Sequence, residues 1–164
     1  MKKNCKMISF DSSTKLTGYA LFVDGTLSRC GVLDHSKEKD MEIRMEDMCF
    51  GIINLLNKEK PDIVVVEMTV VPNNASTQRQ LTELIGVIRG WALINYAEFV
   101  RMRPSEWRHL VADQEEKIPI KRADAKIWAV EKVKLHYNID ATDDTAEAIL
   151  IGQARINQFA KNCA

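Results

Sequence analysis

At 164 residues the chain is long enough to bury one substantial core and too short for two full domains. Its 46% hydrophobic and 28% charged residues exclude the disordered and fibrous classes. The 23 basic and 23 acidic residues cancel, which counts against a nucleic-acid partner unless bound cations withdraw acids from the surface balance.

Cys5, Cys30, Cys49 and Cys163 are scattered, with no paired spacing and no histidine placed for zinc. The basic start is followed by no apolar stretch, and no apolar run is long enough to span a membrane. The sequence therefore predicts reduced thiols in a cytoplasmic protein, with no membrane contact and no organic cofactor.

Met7 to Phe10 is an apolar run ending at Asp11, the pattern of a short buried strand. Residues 12–15 are turn chemistry. Thr17 to Val23 predicts a second strand, Asp24-Gly25 a hairpin, and Thr26 to Leu33 a third strand that completes an antiparallel meander. From about Lys39 to Asn57, Met45, Met48, Cys49, Ile52 and Leu56 recur at helical spacing. Pro61 ends that helix, and four consecutive β-branched residues from Ile63 to Val66 predict a strand covered on both faces, ending at Glu67. A second helix carries Leu81, Leu84, Ile85, Ile88 and Ala92 on one stripe. A fifth strand follows over Glu98 to Met102, and Pro104 opens a short helix. The polar residues Asp113 to Pro119 predict a mobile loop, and two further helices are expected at about Lys121 to His136 and Asp143 to Phe159. With the short helix set aside, the order is β-β-β-α-β-α-β-α-α. No repeat or linker interrupts it. An antiparallel meander leading into βαβ units predicts one α/β domain of the ribonuclease H-like kind, spanning residues 1–164. Its five-stranded mixed sheet would have antiparallel β1-β2-β3, then parallel β4 and β5, flanked by helices.

Asp11 and Glu67 each end an apolar strand, and the two ends become neighbours if the first strand lies beside the fourth. Open α/β sheets bind ligands at such edges. An acid after a strand is also the ordinary start of a solvated loop. Asp144 and Glu147 are three apart on one helix face, and Asp143 lies four before Glu147. Thr142 is a good N-cap, and acids in a first turn offset the helix dipole, so capping alone accounts for these residues taken singly. Taken together, two acids at sheet ends and two on a helix face are oxygen donors for one or two hard cations. Two ions about 4 Å apart would clamp a phosphodiester.

With these residues in place the chain resembles the RuvC-type Holliday junction resolvases over nearly its full length. Ile8-Ser9-Phe10-Asp11 through Thr17-Gly18-Tyr19-Ala20 is similar to the family's opening, and Pro61 through Glu67 to the strand bearing its catalytic Glu. Gly86-Val87-Ile88-Arg89-Gly90 matches a Gly-x-x-Arg-Gly pattern, and Asp144, Glu147 and Ala148 stand where the family has Asp-x-x-Asp/His-Ala. The resemblance implies a homodimer that cuts opposed strands of a four-way DNA junction with magnesium or manganese. It also implies Asp11, Glu67, Asp144 and Glu147 as catalytic metal ligands, with Asp143 as the alternative should the register slip by one.

The chain departs from the family in three respects. Ser12-Ser13 follow Asp11 where a glycine is usual, and Met68 to Asn74 lacks the aromatic that cellular members place after the Glu. The interval from Glu67 to Arg89 is also about one helical turn longer. Compact, divergent members of this kind are typical of phages.

Arg101, Arg103, Arg108, Lys117, Lys121, Arg122 and Lys126 cluster after the fifth strand, interleaved with acids. Arg108, Lys121 and Arg122 are the candidates for phosphate binding. Trp91, Trp107 and Trp128 are expected in cores or at the dimer contact, and the three histidines have no ligand spacing. Three other readings compete. A ribonuclease H or a less selective branched-DNA nuclease would share the metal site. A non-catalytic junction-binding protein would be expected to lack one of the four acids. An actin-like ATPase would need a second domain and a glycine where Ser12-Ser13 stand.

Overall fold

The computed structural model describes residues 4–68 and 74–163. Most of the stretch without the family's aromatic, residues 69–73, lies outside the described residues, as does the thiol of Cys163. Cys5, Cys30 and Cys49 are free.

The elements run β1 (Lys6–Asp11), β2 (Leu16–Val23), β3 (Thr26–Asp34), α1 (Met41–Glu59), β4 (Ile63–Glu67), α2 (Ala75–Ile94), β5 (Glu98–Met102), α3 (Pro104–Val111), α4 (Arg122–Tyr137) and α5 (Asp143–Cys163). They form one sheet in the order β3-β2-β1-β4-β5. β1, β2 and β3 pair antiparallel, while β4 is parallel to both β1 and β5. This is the mixed sheet that the sequence predicts. The β2–β3 turn has Asp24 and Gly25 both at positive φ, as a tight two-residue hairpin demands.

Strand alternation divides the molecule into two layers. Ile8, Phe10, Val64 and Val66 face α1 and α2 and pack with Met48, Ile52, Leu56, Leu84 and Ile88. Met7, Ile63 and Val65 face the other way, into a core with Trp107, Trp128, Ile149 and Leu150. The same parity carries Asp11 and Glu67 to the α3–α5 side.

α5 lies close against β1 and β2 on that side. A Cβ on Gly152 would sit 2.3 Å from Phe22 Cε2, so the helix approaches the sheet as nearly as a residue without a side chain permits. Ser9 Oγ, on β1, donates to the Ala148 carbonyl at 2.7 Å and fixes the helix along its axis.

One expectation fails. The polar segment after α3 is tethered rather than free at its base. The Lys132 ammonium, with its side chain only 4% exposed, bridges Asp113 Oδ2 at 2.8 Å and Glu116 Oε2 at 2.6 Å. Trp128 Nε1 donates to Glu116 Oε1 at 2.6 Å. Acids that look solvated in the sequence are thus held by a cation and an indole on α4. Helix α5 also runs four residues past the expected Phe159, to Cys163.

Candidate active site

The register Phe10↔Val66 between β1 and β4 leaves Asp11 and Glu67 side by side, one residue further on, at the C-terminal edge of the sheet. On the other flank of β1, Asp11 pairs with Gly18 of β2. Gly18 in turn is pressed against the first turn of α5, because a Cβ there would stand 2.0 Å from the Asp144 carbonyl oxygen. Thr142 caps that turn, its Oγ1 accepting from the Thr145 amide at 3.4 Å. Capping and clustering therefore coexist at the start of α5. Of the two adjacent aspartates, Asp144 has 15% of its side chain exposed and Asp143 has 40%, so Asp144 is the one turned inward. Glu147 is buried one turn along.

The four carboxylates feel one another. Asp11 is pushed well above the ordinary carboxylate range by burial, then by the charges of Glu147, Glu67 and Asp144. Burial is also the main cause that raises Glu67, opposed by a hydrogen bond from Trp107. Asp144 is raised by burial and by neighbouring Asp143. Such a cluster is unfavourable unless positive charge enters it.

Two cations already reach it. Arg108 Nη2 lies 3.4 Å from Glu147 Oε1, with its guanidinium 5.0 Å above the Trp107 ring. Lys126 Nζ bonds Asp143 and stands 4.0 Å from Asp144 Oδ1. The bond with Lys126 holds Asp143 below its ordinary value. Burial alone would lower Lys126, but its bond to Asp143 and the nearby acids outweigh that and raise it. Arg122 is near enough to offset the charges of both Glu67 and Asp144.

The donor set, four carboxylates at one sheet edge, offers the oxygen ligands that a hard divalent cation takes. Among the described residues, no three acid, histidine or cysteine side chains close around a single point. Glu147 pairs instead with Arg108, Glu67 with the Trp107 indole, and Asp143 with Lys126. A cation entering the cluster would compete with Arg108 for Glu147.

Asp11, Glu67, Asp144 and Glu147 are thus brought together, and Arg108 and Arg122 lie beside them. Lys121 is exposed at the N-cap position of α4 and makes no side-chain cap bond. Two further residues enter the site. Lys126 is four residues from Arg122 on one face of α4, and that spacing was the available signal. Trp107 is fully buried and donates through Nε1 to Glu67 Oε2 at 2.6 Å. Nothing local connects residues forty apart. The other two indoles are also internal, Trp91 donating to Asn57 Oδ1 at 2.7 Å.

Solved structures share this architecture. Thermus thermophilus RuvC in complex with a Holliday junction substrate superimposes with a TM-score of 0.73 at 13% identity, over 95% of this chain and 96% of that one. The chain has the RuvC resolvase fold. A further T. thermophilus RuvC structure gives 0.72 at 12% identity, covering 96% of each chain. The yeast mitochondrial Holliday junction resolvase Ydc2 gives 0.60 at 13% identity, over 97% of this chain and 83% of that one. No protein-family model and no curated protein matches the sequence. No helix among the described residues is long and apolar enough to cross a membrane.

Proposed function

We propose that the chain is a single-domain, divalent-cation-dependent endodeoxyribonuclease that resolves four-way DNA junctions as a homodimer. The observation that carries this reading is the meeting of Asp11, Glu67, Asp144 and Glu147 at one sheet edge, where the charges of the other three raise Asp11. The fold shared with two junction resolvases, one of them bound to its junction, supports the choice of substrate.

Asp11, Glu67, Asp144 and Glu147 would hold magnesium or manganese, and two such ions supply charge neutralisation at a phosphodiester and a readily deprotonated water. The chain's own groups set the geometry. The Trp107 indole holds Glu67 in one orientation, as outer partners of metal-binding carboxylates commonly do. The close seat of α5 on Gly18 positions Asp144. Arg122, Lys121 and Arg108 would receive the DNA backbone beside the cluster.

The dimer would form on the outward stripe of α2. Gly86 and Gly90 leave open space there, and Leu93 and Ile94, next on the same stripe, are exposed. Cleavage of a synthetic four-way junction in magnesium, beside a linear duplex and an RNA–DNA hybrid, tests the reading. Paired nicks on the junction alone are expected. Cutting of the hybrid alone would move the activity to ribonuclease H, and no cutting at all would leave a binding role.

A further inference from the structure

The first turn of α5 carries two adjacent aspartates, and the structure gives them different partners. Asp144 has 15% of its side chain exposed and Asp143 has 40%. The Lys126 ammonium, reaching across from α4, bonds Asp143 Oδ2 and stays 4.0 Å from Asp144 Oδ1, beyond hydrogen-bond reach. Arg108 is arranged differently. Its guanidinium engages Glu147 itself at 3.4 Å, and among the described residues it makes no ion pair with a second acid. One resident cation therefore sits on a carboxylate of the cluster, while the other is drawn aside by an acid next to it.

An ammonium and a divalent cation compete for the same carboxylate oxygens, and a like charge close by opposes the ion's entry. The Lys126 charge acts on Asp11, Asp144 and Glu147, so its position bears on most of the cluster. Were Asp143 absent, the next carboxylate within reach of the ammonium is Asp144. Resting on the nuclease reading above, we propose that Asp143 is a positioning residue for the metal centre: it holds Lys126 off Asp144, so that Asp144 meets an incoming divalent cation unpaired. The aspartate doublet divides two tasks. Asp144 offers its oxygens to the ion, and Asp143 neutralises the lysine that would otherwise occupy them. Asp143 thus acts through Lys126 and is not itself a ligand.

The test measures Mn2+ uptake without DNA, from the loss of the free-ion electron paramagnetic resonance signal at fixed ionic strength. Native protein is compared with Asp143→Asn, Lys126→Met and the double variant. Both positions are partly exposed, and both replacements keep the side chain's size, so each variant should melt cooperatively in chelator. In the native background Asp143→Asn should weaken Mn2+ binding by about tenfold, the lower end of what outer partners of metal ligands contribute. With Lys126→Met already in place, the same substitution should cost about twofold or less, because no ammonium remains to be held aside. Lys126→Met alone should bind the ion at least as tightly as the native chain. An equal loss in both backgrounds makes Asp143 a ligand and overturns the proposal. Native affinity in Asp143→Asn protein, or weakened binding in Lys126→Met protein, overturns it too; in each case junction cutting in magnesium by the native chain keeps the nuclease reading. A native chain without measurable Mn2+ uptake overturns the proposal, and one that also leaves junctions uncut overturns the nuclease reading with it.

Discussion

Gly18→Ala is the sharpest probe of how the site is built. The added Cβ would lie 2.0 Å from the Asp144 carbonyl oxygen and 2.4 Å from its carbonyl carbon, both backbone atoms. Neither can rotate away as a side chain would. Since Cβ contacts under 3.0 Å are essentially never seen, β2 and the first turn of α5 must separate by about 1 Å or more. That motion takes Asp144 and Glu147 away from Asp11 and Glu67. Overpacking of this order costs about 1–3 kcal/mol, which lowers the melting temperature of a domain this size by roughly 2–12 °C. Activity should suffer more, because a displacement of about 1 Å at a reacting centre costs on the order of 100-fold in rate. Single-turnover cleavage of a four-way junction in saturating magnesium measures that loss. Gly51→Ala is the control, since a Cβ there, away from the acid cluster and the α2 stripe, meets only side chains, the nearest His35 Nε2 at 3.4 Å; a native cleavage rate is expected. If Gly18→Ala cut at the native rate, the seat of α5 on β2 would not govern the site, and the assignment of Asp144 and Glu147 would fall.

Asp11→Asn should abolish cleavage, retain junction binding, and stabilise the protein in chelator. Asp11 is raised above its ordinary value by burial and three acids, so its proton favours the fold: that contribution is complete below the unfolded pKa and is lost as pH rises through the raised folded one. The melting gap between variant and native protein should therefore widen from acidic to neutral pH in chelator and narrow when magnesium is added; a gap independent of pH would refute the buried cluster. Trp107→Phe removes the hydrogen bond to Glu67. It should raise the magnesium concentration needed for half-maximal cleavage by about 10–100-fold, and an unchanged magnesium requirement would separate Glu67 from the metal. Lys132→Met cuts the tether to Asp113 and Glu116, whose side chains remain 61% and 27% exposed. The melting temperature should fall slightly, while hydrogen exchange over residues 113–121 should quicken. Unchanged protection there would show that the loop is ordered by other contacts.

The sheet edge was legible because period-two alternation and strand-ending acids are local signals. Ile63 to Val66 shows a strand buried on both faces, and the parity of Met7 and Asp11, and of Ile63 and Glu67, puts both acids on one side. The face of α5 was legible for the same reason, through the spacing of Asp144 and Glu147. The neutralisation of that face was not. Arg108 meets Glu147 across 39 residues, Trp107 meets Glu67 across 40, and Lys126 meets Asp143 across 17. No window along the chain contains those pairs. The tethered loop escaped for a related reason: its acids are polar in composition, and only Trp128 and Lys132, four apart on α4, show that the helix faces them. Zero net charge misleads in the same way. Acids are concentrated at the sheet edge with Arg108, Arg122 and Lys126 among them, while Lys117 and Lys121 stand on the loop beside it. What a polyanion meets is that local arrangement. Divalent cations held by the carboxylates would add positive charge to it and would compete with Arg108 for Glu147. Overall neutrality is thus compatible with DNA binding, provided that binding is strengthened by the same ions that cleavage requires.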